Sequence, residues 1–197
     1  MKHTYSIKPV CAALALALVP LAAACDSMPS DPYAAAQSAF EEGSLRTALE
    51  YASAAVDADP DNAEYRIFAG DLAMALDLPD RAITEYQAVA SDAPEASVAK
   101  AKLAEAQVAG NYLSGAEQTL SELKMDNPFA YVAKIAFHMA KGEADAAFSS
   151  LDEGLKSYVD HPRLATIDAE RLWAQGRRDE AMKSNIAKLR AAGFLKG

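Results

Sequence analysis

The chain has 197 residues, 51% of them apolar, which is enough for one ordinary domain with a buried core and too few for two large ones. Its 28 acidic against 19 basic side chains exclude a general affinity for nucleic-acid phosphates. Alanine is abundant while aromatics and glycines are few, a composition that leans to helix because alanine loses no side-chain entropy there.

Residues 1–24 read as a leader outside the fold. Lys2, His3 and Lys8 make a positive start, and Val10 to Leu21 is an uncharged apolar run too short to span a bilayer comfortably as a helix. Leu21-Ala22-Ala23-Ala24-Cys25 follows and resembles a bacterial lipobox, which implies that Cys25 becomes the acylated N-terminus. Ala22 stands where that pattern usually has leucine, with Leu21 one place earlier. The three alanines also suit an ordinary signal peptidase, which would leave Cys25 unmodified. Cys11 leaves with the leader, so Cys25 has no partner for a disulfide, and a cysteine-rich metal site is excluded. Acylation accounts for this lone exported thiol, and several acyl chains anchor firmly where one does not. Asp26 resembles the inner-membrane retention signal of enteric bacteria, but not all bacteria read it so, and the choice of membrane stays open. Residues 25–32, with Pro29 and Pro32, read as a lipidated N-terminus and tether.

From residue 33 onward the chain repeats itself. Pro60, Pro94, Pro128 and Pro162 are spaced by 34 residues, as are Ala48, Ala82 and Ala116. The pairs Ala35-Ala36, Ala69-Gly70 and Leu103-Ala104 keep the same spacing, and Ala52, Tyr86 and Leu120 lie four residues after the repeated alanines. The pattern resembles the tetratricopeptide repeat from about residue 30 to 195. The resemblance implies an all-α fold, a right-handed α-solenoid of about five helix pairs over 33–197. Small residues let paired helices approach closely, and proline is expected to stop the second helix.

The expected helices, in chain order, are 33–42, 45–58, 62–76, 80–91, 95–109, 112–125, 129–140, 143–157, 163–175 and 178–192. Asp59, Asp61 and Asn62 offer caps around Pro60. Gly43, Asn111, Gly115 and Leu78-Pro79-Asp80 offer turns within the units. Ala147 follows Ala116 by 31 residues, while Ala181 follows Ala147, and Gly176 follows Gly142, by 34. This slip predicts a first helix or turn about three residues shorter in units four and five, with altered curvature, unit four regaining the length between Leu151 and Pro162. Ala192-Gly193 marks a stop for the last helix, with Lys188 and Arg190 favourable near its negative end. Charge is uneven: 25–155 carries 8 basic and 23 acidic residues, 156–197 carries 9 and 5. Such an imbalance suits ordinary solvated faces or a basic end that meets an acidic partner.

The residues show no converging catalytic groups, phosphate loop or metal-ligand spacing, so neither an enzyme nor a cofactor or metal site is expected. His138 sits in the apolar run IAFHMA and reads as a core or groove histidine. His161 precedes Pro162. Glu41-Glu42 and Asp179-Glu180 point different ways as helix neighbours, and Ser149-Ser150 has no nearby base. Trp173, the single tryptophan, either packs the last helix pair or stands as an exposed anchor.

In the resembled family a concave face lined by the first helices binds a helix or an extended segment of another protein. Carried over by register, its residues are Tyr33, Gln37 and Phe40 in unit one, and Ile67, Asp71 and Met74 in unit two. Unit three adds Ala101, Lys102, Glu105 and Val108; Ile135 and Met139 follow in unit four. Ile67, Asp71 and Glu105 depart from the family's carboxylate clamp, so binding to the chaperone tails that it recognises is not expected. The implied function is a membrane-anchored scaffold facing the periplasm that binds a protein partner of the bacterial cell envelope. By architecture it resembles pilus and secretion assembly lipoproteins. Alternatives are a regulatory subunit of a cell-wall enzyme and an outer-membrane protein assembly factor. No nucleic acid or small-molecule substrate is implied.

Overall fold

A computed structural model of the protein describes residues 28–183. The leader, Cys25, Asp26 and the end of the last expected helix lie outside the described residues. Among the described residues nine complete helices follow one another: α1 (Pro32–Glu41), α2 (Leu45–Ala58), α3 (Ala63–Ala75), α4 (Pro79–Gln87), α5 (Ala96–Ala109), α6 (Leu113–Ser121), α7 (Pro128–Ala140), α8 (Ala144–Ser157) and α9 (Pro162–Ala174). A tenth, α10, is described over 178–183. There is no strand among the described residues. The helices form a solenoid of antiparallel pairs, the odd-numbered helices being the first of each pair. No helix among the described residues is long and apolar enough to cross a membrane.

Every first helix ends in the same way. Gly43, Asp77, Asn111, Gly142 and Gly176 adopt left-handed backbone, with φ of 78°, 58°, 62°, 75° and 76°. The amide of the next residue then donates to the carbonyl five places back: Ser44 to Ala39, Leu78 to Ala73, Tyr112 to Gln107, Glu143 to His138 and Arg177 to Leu172. This is the Schellman closure, which satisfies otherwise orphaned carbonyls and favours glycine or asparagine at the left-handed place. Gly43 and Asn111 thus form turns as expected. Gly115 does not; it lies in α6, where a Cβ would crowd the amide of Gln107.

These five residues are spaced 34, 34, 31 and 34 apart, and so locate the slip. The first helices of units four and five, α7 and α9, keep 13 residues each, as α3 does. The missing residues lie between α6 and Gly142. Six residues connect α6 to α7 where eight connect α4 to α5, and α7 is one residue shorter than α5. From the start of its second helix to the residue before Pro162 unit four holds 18 residues, against 15 from Leu113 to Asn127 in unit three, so the length is regained there. As a consequence of the short connection α7, besides pairing with α8, packs on α5 and only lightly on α6.

The prolines also differ from expectation. Only Pro60 stands close behind its second helix; α4 and α6 end several residues early, at Gln87 and Ser121. Pro128 and Pro162 instead open α7 and α9 as first-turn residues, where the missing N–H costs nothing. Side chains cap three first helices: Asp31 accepts from the Ala34 amide at 3.0 Å, Asn62 from Tyr65 at 3.2 Å and Asn127 from Ala130 at 3.1 Å.

The core is rich in alanine, which permits close helix approach. One apolar cluster joins units one and two around Ala36, Ala48, Leu49, Leu72 and Tyr86. A second joins units four and five around Tyr131, Val132, Ile135, Leu151 and Leu164. In unit three, buried Gln107 accepts a hydrogen bond from Thr119 Oγ1 at 2.8 Å. A buried polar pair of this kind holds because each group satisfies the other.

Candidate functional site on the first-helix face

The left-handed residues supply a common register for the five units. Three places before each lies Phe40, Met74, Val108, Met139 or Trp173. Its carbonyl accepts the amide of the left-handed residue, so the helix cap itself fixes this position. Phe40, Met139 and Trp173 are 48%, 52% and 54% exposed, while Met74 and Val108 are half-buried. Each repeat thus places one apolar side chain at the same point of the first-helix face.

Seven places before the left-handed residue lie Ala36, Gly70, Ala104, Ile135 and Ala169, all buried. The second helix packs here, and the ring of Tyr86 lies directly over Gly70. Ile135, expected on the concave face, is therefore corrected to a core residue, 3% exposed. The shifted register of unit four caused the misplacement. Ala101 is also corrected to the core, being fully buried.

Polar residues of the face meet one another. Asp71 accepts hydrogen bonds from Tyr86 Oη at 2.7 Å and Lys102 Nζ at 2.6 Å. The Lys102 ammonium also lies 4.5 Å from the centre of the Phe129 ring, a cation–π contact. Glu105 accepts two hydrogen bonds from the Arg163 guanidinium, at 2.8 and 2.5 Å, tying α5 to α9 across unit four. Burial, then Asp71, push the Tyr86 hydroxyl well above its usual range.

At the other end Tyr33 Oη donates to Glu64 at 2.7 Å, and burial followed by that carboxylate raises its pKa to about 12. The Tyr33 ring packs against Tyr65 and Phe68, and Phe40 meets Phe68 edge-on at 5.9 Å. Gln37 is exposed, while Ile67 and Met74 are half-buried against the first core cluster.

The expected groups thus divide. Phe40, Gln37 and Met139 are exposed; Tyr33, Asp71, Met74, Lys102, Glu105 and Val108 are accessible in part. Trp173 is an exposed member of the stripe, with the Arg178 guanidinium 5.2 Å from its ring centre. The left-handed register gives its place, three residues before Gly176 as Val108 is three before Asn111. Phe129, which stands at the start of α7 just after the slipped junction, and Arg163, at the start of α9, were missed.

His138 pairs through Nδ1 with Glu143 at 2.8 Å, where α7 turns into α8. His161 lies edge-on to Phe129, and burial, then Arg163 and Lys102, lower its pKa. A cavity of about 490 Å³ opens between the early ends of α4 and α6, lined by Tyr86, Val89, Pro94, Leu103 and Leu123 among others. Nothing in the sequence signalled it. Among the described residues no group of three or more His, Cys, Asp or Glu side chains could hold a metal ion.

Comparison with known proteins agrees with this architecture. A sequence profile of the tetratricopeptide repeat matches residues 39–102. TTC0263, a thermophilic TPR protein of Thermus thermophilus, superposes with a TM-score of 0.65 at 21% identity, covering 81% of this chain and 89% of its own. A tetratricopeptide repeat protein from Parabacteroides merdae gives 0.58 at 16% identity, with 81% and 63% covered. MamA gives 0.53 at 20% identity, with 81% and 97% covered. At these identities the likeness is one of fold. No curated protein matches the chain.

Proposed function

Since the chain is a tetratricopeptide-repeat protein and its fold a solenoid of such repeats, we propose that it is an envelope scaffold holding a protein partner on its first-helix face. The observation that carries this reading is the apolar side chain placed at one point of every repeat, from Phe40 to Trp173. A solenoid that merely packed its units together has no need of large apolar groups left half exposed at a repeated position. In this reading the leader directs export, Cys25 carries the acyl anchor, and the scaffold serves assembly of a pilus or secretion machine. The lipobox-like run before Cys25 supports the anchor.

The test is a pull-down from detergent-solubilised membranes with the tag at Gly197, comparing wild type, Cys25→Ala and Met139→Asp. Recovery of a pilus, secretin or assembly subunit, lost with Met139→Asp, is the expected result. Weaker recovery with Cys25→Ala would assign the anchor a part in it. Equal recovery with Met139→Asp would remove the first-helix face from the reading, and recovery of a cell-wall enzyme alone would replace the assembly role.

A further inference from the structure

The charges beside the stripe bear on what occupies it. An acidic protein, with 28 acidic against 19 basic residues, would be expected to recognise a basic partner through free carboxylates. At the centre of this face the carboxylates are already engaged. Asp71 holds Lys102 and the hydroxyl of Tyr86, and Glu105 holds both terminal nitrogens of Arg163. Lys102 and Glu105 keep only 15% and 16% of their side-chain surface exposed. A partner's charge could reach Lys102 or Glu105 only by displacing a partly buried ion pair and leaving one member unpaired, which is costly; Asp71 and Arg163 are more open, 41% and 52% exposed, but each already holds an opposite charge.

The apolar positions, in contrast, stay about half open even where Phe68 meets Phe40 edge-on and Arg178 lies over the Trp173 ring. Phe40 and Trp173 stand at the two ends of the stripe and Met139 between them, each about half exposed. Aromatics and methionine are the groups that contribute most contact area or adapt best to a partner's shape.

Resting on the first-helix face as the binding surface, we infer that its occupant is a polypeptide segment presenting apolar side chains to Phe40, Met139 and Trp173 and uncharged polar side chains elsewhere. Apolar area, and not ion pairing, holds the complex. The affinity is therefore nearly independent of salt, unlike that of a steered, charge-led complex.

Trp173, as the single tryptophan, reports on the site directly. The experiment uses the mature chain and three amphipathic peptides with one leucine pattern, their remaining positions filled by glutamine, lysine or glutamate. Binding is followed by Trp173 emission and by calorimetry. The glutamine peptide is expected to shift the emission to the blue. Its Kd should change less than about twofold between about 50 and 500 mM salt, and rise about tenfold or more in Phe40→Asp and Met139→Asp. Two variants at separate repeats guard against a local fold defect, which circular dichroism would reveal.

Tighter binding of the lysine or glutamate peptide, lost on adding salt, would overturn the inference yet leave the binding face in place. Binding seen by calorimetry with unmoved emission and unaffected variants would refute the face itself. Failure of all three peptides would sink the inference, as would an emission shift caused only by neutral phosphatidylcholine vesicles.

Discussion

A Cβ added at Gly70 would overlap the ring of Tyr86, which is 3% exposed and tethered through its hydroxyl to Asp71. Gly70→Ala should therefore destabilise the protein by about 2 kcal/mol, the usual cost of overpacking a ring that cannot step aside. The urea midpoint is the measurement. Gly142 is constrained differently. A Cβ there meets nothing, but φ is 75°. Gly142→Ala should cost about 1 kcal/mol through backbone strain. Gly142→Asn should cost less than half of that, since Asn111 already occupies the equivalent place at φ 62°. Equal losses for alanine and asparagine would mean that something other than the left-handed backbone fixes this glycine.

Among the elements, α7 takes the most unusual load, because the shortened connection swings it away from α6 and onto α5. Its start depends on Asn127, which is 9% exposed. The side chain accepts from the Ala130 amide at 3.1 Å and donates to Ser97 Oγ on α5 at 2.9 Å. Asn127→Ala removes the cap and the cross-helix contact together and should cost about 1–2 kcal/mol. Asn127→Asp keeps the acceptor for Ala130 but loses the donor, so it should fall between wild type and alanine. Hydrogen exchange should show the loosening first in the amides at the start of α7. An alanine variant as stable as wild type would show that α7 is placed by its apolar contacts with α5 and α8 without the cap.

For the whole molecule, pH acts through several groups. His161 is held neutral by burial and by Arg163 and Lys102, so its native pKa lies below 6.5. The unfolded chain then takes the proton first, and stability falls as pH drops through about 6.5 towards the native value. Glu122, Glu143 and Glu180 are lowered by hydrogen bonds to Lys100, His138 and Arg177, and they add a loss that begins near their unfolded value of 4.5. The tyrosines act at the other end: the native pKa of Tyr33 is about 12, so stability declines as pH rises above about 10. Urea midpoints measured across pH should therefore fall on both sides of neutrality. His161→Phe should flatten the fall between about pH 6.5 and 5. An unchanged slope in that variant would assign the acid limb to the carboxylates.

The helices and their repetition were legible in the sequence because they rest on local rules. Alanine propensity, capping side chains and the 34-residue period are properties of neighbours along the chain, and they located helix ends to within a few residues. The early ends of α4 and α6 escaped this reading because the residues beyond Gln87 and Ser121 form turns against the next unit instead of the further helical turns their pattern allows. The slip was visible as a 31-residue spacing, but not its place. Only the backbone at Asp77 and Asn111, joined to the three glycines, aligns all five units and moves Ile135 into the core while adding Trp173 to the exposed stripe. The ion pairs Asp71–Lys102 and Glu105–Arg163 join residues 31 and 58 positions apart. The register carried over from the resembled repeat placed Asp71, Lys102 and Glu105 on one face. That their charges are satisfied by each other depends on how successive helices stack, a relation that local chain rules do not contain.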